Sequence, residues 1–230
     1  MEQLMRLNSQ TSGRDKILRL WQFTCRLTWA VMEKRSRNME AISRLKEVEG
    51  LISFARRLLR LGRSVDMLYS SVSSLQISDP FLRMVITSSR ISSSLFLFAD
   101  HLVWLKKVGL LQVDEIKWSD TSNRFWLYSS VLNLLRDCHE INIMIKSEQR
   151  MKNLRPELGS VEYVTAVAQI FIKHKNITID TVKNICDTLL PMANLGHVKV
   201  SPAHVGLLGI ISSTAAMLQL VDPSNRLAMA

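Results

Sequence analysis

From Val200 to Val221 the chain carries no charged side chain, and any fold must accommodate that stretch first. Ala203 to Val221 supplies 19 helical positions. At 1.5 Å rise per residue they span about 28 Å, close to the roughly 30 Å of a bilayer's hydrocarbon core. Gly206, Gly209, Ser213 and Ala216 recur along the segment, and small residues of this kind let membrane helices pack closely. His204, Gln219 and several hydroxyls keep a second reading open, a buried helix in a soluble bundle. Length and the absence of charge favour the span.

A chain built around such a helix is expected to be helical elsewhere. Glycine (8) and proline (5) are scarce in 230 residues, and β-branched runs bounded by turns are rare, which points to an all-α protein. Caps set the expected boundaries. Helices are predicted over about Arg14–Glu33, from Asn38 to Gly62, from Asp79-Pro80 to Lys107, from Ser119 or Asp120 onward, over Val161–His174, over Asp180–Leu190 with Pro191 as the stop, and from Ser201-Pro202 to Asp222. Residues 1–79 read as a basic helical region, 80–152 as a long helical hairpin, 153–160 as a linker, 161–200 as a further helical region, 201–222 as the transmembrane helix and 223–230 as a tail. A second span within Phe81–Leu105 is possible, although Arg83, Arg90 and Asp100 would then need partners inside a bundle, since each such charge costs about 2.5–3.5 kcal/mol at a bilayer centre.

The net charge of +10 is concentrated at one end, because residues 1–63 hold 14 Lys/Arg against 6 Asp/Glu. A basic end implies an anionic partner, a membrane face or a nucleic acid. Within it, "SRLKEVEGLISFARRLLRLG" puts Lys46, Arg56, Arg57, Arg60 and Arg63 within an arc of roughly 120° on a helical wheel, while Leu51, Ile52, Ala55, Leu58 and Leu59 lie on the opposite side. Such a helix suits the lipid interface, with leucines among acyl chains and arginines on anionic lipid phosphates. The outer wall of a helical bundle is the alternative. No nucleic-acid motif accompanies the arginines, so no nucleic acid is expected as a partner.

Three separated cysteines, Cys25, Cys138 and Cys186, form neither a disulfide framework nor a zinc site and suit a reducing compartment. "DCHE" at Asp137–Glu140 gathers reactive groups, but Cys138 and His139 point about 100° apart on a helix and cannot share a ligand face. Arg136-Asp137 reads as a buried ion pair instead, and Asp100-His101 as a satisfied structural pair. No nucleotide-, zinc-protease- or hydrolase-type motif is present. The residues give no reason to expect an enzyme, a cofactor or a metal.

Four blocks resemble the peroxin-11 family, in particular its animal beta-type members: "ARRLLRLGRSVDML" (Ala55–Leu68), "KWSDTSNRFWLYSSVLNLLRDCHEI" (Lys117–Ile141), "NICDTLLPMANLG" (Asn184–Gly196) and "VGLLGIISS" (Val205–Ser213). They stand in family order across nearly the whole chain. The resemblance implies an integral protein of the peroxisomal membrane with both termini in the cytosol. Its amphipathic helix, about residues 40–63, would enter the cytosolic leaflet and elongate the membrane. It further implies self-association, delivery by the import chaperone-receptor for peroxisomal membrane proteins, and severing by a dynamin-related GTPase with its tail-anchored adaptors. A metabolite pore or carrier is the alternative function. Two cytosolic termini require an even number of spans, and only one is clear.

Overall fold

The computed structural model describes residues 10–35, 38–151 and 160–225. They form eight α-helices and, among the described residues, no strand: α1 (Thr11–Arg35), α2 (Met39–Leu59), α3 (Arg63–Ser73), α4 (Pro80–Lys107), α5 (Glu115–Met151), α6 (Ser160–Lys173), α7 (Lys175–Asn194) and α8 (Pro202–Val221). The linker expected at 153–160 lies almost wholly outside the described residues, as does most of the 223–230 tail.

Local chemistry accounts for the ends. Asn38 accepts the Ala41 amide at the start of α2, and Asp79 accepts the Phe81 and Leu82 amides ahead of Pro80, satisfying donors that a helix leaves orphaned. Gly62 turns α2 into α3 with φ of 79°, and Gly109 closes α4 with φ of 85°, a conformation open to glycine at little cost.

Two boundaries differ from the sequence expectation. Helix α5 starts at Glu115 rather than Ser119, because Asp114 caps the Ile116 and Lys117 amides. Helix α7 begins at Lys175 and runs past Pro191 to Asn194. A proline lacks the N–H that would bond four residues back, and the Asp187 carbonyl so released accepts the Ser130 hydroxyl of α5 at 3.2 Å. The cost of the proline is met by a neighbouring helix.

Helices α4 and α5 form an antiparallel hairpin whose seam is polar and small. Ser89 bonds Asn133 at 2.7 Å, Ser93 bonds Ser129 at 2.6 Å, and Ser122 donates to the Phe96 carbonyl. Helix α1 lies between α2 and α8, while α7 packs on α5 and α8. Buried apolar residues are few: one cluster joins Ile141, Ile145, Ile170 and Ile177, another Phe23, Leu190 and Val205. Much of the interior is polar, including Asp15, Arg19, Gln22, Glu49, Arg56, Asp100, Asp137 and Asp180. Large apolar side chains face outward instead, from Leu51 and Leu58 on α2 through Met84, Ile91 and Phe98 on α4 to Leu207 and Leu218 on α8. In water that arrangement would be costly; in lipid it is the expected one.

Among the described residues α8 alone is long and apolar enough to cross a membrane. Leu207, Ile211 and Leu218 face outward, whereas Val205, Gly206, Gly209, Ser213 and Ala216 are buried. The glycines are pressed against α1: a Cβ at Gly206 would sit 2.8 Å from the Leu27 nitrogen, and one at Gly209 would stand 2.1 Å from the Phe23 ring. The sequence marks this stripe as a place where another helix can approach closely; the helix that does so is the chain's own α1. Gly206→Ala is therefore expected to destabilise the protein by about 1–3 kcal/mol, since backbone must move. Gly50→Ala, in the middle of α2 with open space around it, is expected to stabilise by about 0.5–1 kcal/mol. Thermal unfolding of the full chain in detergent reads both; a harmless Gly206→Ala would contradict the packing.

Candidate functional site

The amphipathic helix is the element on which sequence and geometry both converge. On its apolar side Leu51 is 68% exposed and Leu58 50%. Ala55 is also exposed, and Ile52 and Leu59 are half-buried. The surface continues past Gly62 onto α3, where Val65, Leu68, Tyr69 and Val72 are all exposed. Two consecutive helices thus each present exposed apolar side chains.

The opposite side of α2 is where the structure departs from the sequence reading. Arg56 donates to Asp15 at 3.0 Å and to Gln22 at 2.6 Å, both on α1. Arg57 and Arg60 converge on Asp100 of α4 at 2.9 and 2.8 Å. Two turns before Arg56, Glu49 receives Arg26 and the Trp29 indole of α1. Lys46 is half-exposed, paired with Glu33 at 3.0 Å and seated over the Trp29 ring. Arg63 borders an interior cavity. In this structure, then, Arg56, Arg57 and Arg60 direct their donors at carboxylates inside the bundle rather than at lipid phosphates. Asp15 and Asp100 stand about forty residues away in the chain, and a wheel drawn on one helix cannot show them. These acids, with Gln22 and Glu49, are what the sequence reading missed; the only available hint was that Asp100 needed a cationic partner.

The electrostatics are those of a closed clamp. Burial opposes ionisation of Asp15, but the charges of Arg56 and Arg60, with Lys16 and Arg19, more than offset it and hold the carboxyl well below the usual range. A depressed folded-state pKa contributes stability that is fully present above the unfolded value near 4 and is lost as pH falls through the folded one. His101 completes the joint, its Nε2 lying 2.9 Å from the Arg60 carbonyl oxygen.

A second polar network joins α5, α7 and α8. Arg136 pairs with Asp137 and Asp180, Asn184 donates to Asp137 at 2.6 Å, and Gln219 donates to Asp180 at 2.8 Å. The buried ion pair read from Arg136-Asp137 is thus present and wider than expected. His139 bonds Asp79 at 3.2 Å and lies against Phe81, while Cys138 is exposed. No group of metal-ligating side chains occurs among the described residues.

Asp100→Asn leaves two buried guanidiniums sharing a neutral amide, and breaking a buried pair costs about 3–5 kcal/mol. The expected result is a large drop in the unfolding temperature of the full chain in detergent, partly recovered when Arg57 and Arg60 are also made Gln. An unchanged midpoint for Asp100→Asn would mean that the arginines find their partners elsewhere.

Comparison with known proteins agrees with this architecture. The sequence profile of peroxisomal biogenesis factor 11 matches residues 1–221. Peroxisomal membrane protein 11B of Bos taurus is 30% identical over 256 residues, covering 99% of both chains. Human peroxisomal membrane protein 11A is 30% identical over 244 residues with the same coverage. A Dictyostelium discoideum homologue is 24% identical over 240 residues, spanning 96% of this chain and 94% of its own. No solved structure matches. The chain belongs to the peroxisomal biogenesis factor 11 family.

Proposed function

We propose that this protein resides in the peroxisomal membrane and reshapes it during peroxisome proliferation, with α8 as anchor and the outer face of α2–α3 as the element that enters the cytosolic leaflet. Family membership and the names of its relatives support the location and the broad role. The observation that carries the mechanism is the uncovered apolar face running from Leu51 through Leu58 to Val72, backed by a polar side locked onto α1 and α4. A helix lodged about 5–10 Å into one leaflet expands that leaflet relative to the other and so bends the sheet. An ion-paired back makes this a stiff wedge rather than a peptide that folds on arrival. The proposal includes both termini in the cytosol, with α4 as the second crossing that this requires, its Arg90 and Asp100 met inside the bundle. It also includes contact of the half-exposed Lys46 and Arg63 with anionic headgroups, self-association, delivery by the import chaperone-receptor, and hand-over of the tubule to a dynamin-related GTPase and its adaptors.

The test is a Leu51→Glu/Leu58→Glu double variant of the full chain. Both side chains are exposed, so the fold and the α8 anchor should survive, and the protein should remain in the membrane after alkaline extraction. Tubule formation from proteoliposomes, and elongation of peroxisomes in cells, should fall to the level without protein. Tubules of undiminished length would remove α2 from the mechanism.

The polar cavity inside the bundle favours a second reading, a metabolite pore or carrier. That reading predicts solute flux across proteoliposomes that the same double variant leaves intact.

A further inference from the structure

The cavity is the feature that membrane bending does not use. It has a volume of about 590 Å³ and is lined by residues of α1, α2, α3, α4, α5 and α7. That size suits a small organic ligand rather than a lone ion. Eight cationic side chains line it against four carboxylates. The carboxylates are largely spent: Asp15 on Arg56, Asp100 on Arg57 and Arg60, and Asp187 on Arg19 and Ser212. Lys16 and Arg63 line the same cavity and, among the described residues, take part in no salt bridge. Burial, followed by the charge of Arg19, lowers the Lys16 pKa to about 7 against the pull of Asp15 and Asp187, and Arg63 adds to the repulsion. Arg26 and Lys183 are met by Glu49 and Asp180 from outside the lining, so the positive charge left facing the cavity is that of Lys16 and Arg63, and holding it there comes at a cost.

We propose that this cavity is a binding site for a phosphate-bearing anion, with Lys16 and Arg63 as its principal contacts and the Arg57/Arg60 pair as its wall. Phosphate chemistry fits best because guanidiniums present planar, paired donors that match its oxygens, while Lys16 adds a point charge. Asp120, Ser93, Asn123 and Asn133 line the remainder of the cavity, giving donors and acceptors for the body of the ligand. The inference concerns occupancy of the cavity alone and holds whether or not α2 bends the bilayer.

The anion could reach the cavity as a soluble phosphorylated compound or as a lipid headgroup, and the experiment separates the two. Full-length protein in phosphatidylcholine nanodiscs is titrated with inorganic pyrophosphate. In a parallel arm it is reconstituted in nanodiscs with and without phosphatidylinositol 4-phosphate. Thermal stabilisation reports binding in both arms, and calorimetry gives the affinity in the first. The variant is Lys16→Gln/Arg63→Gln, which breaks no ion pair among the described residues and whose own unfolding temperature without ligand is the baseline for its shifts; Lys117→Gln is the surface control. Saturable stabilisation by pyrophosphate, weakened at least tenfold in the double variant and unchanged in the control, supports the site with a soluble ligand. Stabilisation by the phosphoinositide discs alone, lost in the double variant, supports it with a headgroup. No stabilisation in either arm, or stabilisation that the double variant retains, overturns the proposal.

Discussion

Everything distinctive about this bundle depends on a joint of two carboxylates and three guanidiniums: Asp15 with Arg56, and Asp100 with Arg57 and Arg60. An amphipathic helix in water buries its apolar side and shows its charges. Here the joint takes up the charged side of α2, so the apolar side has nowhere to go but outward. The pairs need the enclosure that α1 and α4 provide, because ion pairs left at a wet surface contribute little. Their value is orientation: with the arginines held, Leu51 and Leu58 of α2 are exposed, as are the apolar residues of α3 that follow.

The same inversion runs through the other contacts. Helices meet along glycines, serines and polar networks, such as Gly206 against Leu27, Ser89 against Ser129 and Asn133, and Asp187 against Arg19 and Ser212. Many large apolar side chains remain outside. A lipid environment supplies no hydrophobic force between helices, and close packing with interhelical hydrogen bonds must replace it. Two of the three charges on α4 that argue against a simple span are met the same way: Asp100 by α2, and Arg90 by the Ser70 carbonyl of α3. The polar cavity is a by-product of bringing so many charged faces together, and its surplus of cations is what an anion could correct.

Much of this was legible in the chain. The uncharged run to Val221, the Ser201-Pro202 and Asp79-Pro80 starts and the scarcity of glycine and proline give the helices, and four ordered sequence blocks give the family. The amphipathic pattern of α2 was visible too, but its rotation was not. A wheel identifies an apolar and a cationic side without saying which neighbour each one meets, and Asp15 and Asp100 are too distant in sequence to enter that picture. For the same reason Gly206 and Gly209 announce a close approach without naming α1 as the helix that approaches. Helix α7 outran its expected stop because relief for Pro191 comes from Ser130, on another helix.

The central claim is that α2 sits with its leucines in lipid and its polar side in protein, and lipid quenching reads that rotation directly. Single cysteines at Leu58, on the apolar side, and Ser53, which lines the cavity, would each carry an environment-sensitive fluorophore in an otherwise cysteine-free full chain, reconstituted with spin-labelled lipids. The structure predicts strong quenching at position 58 and little at position 53. Equal quenching at both positions, or none at 58, would contradict it.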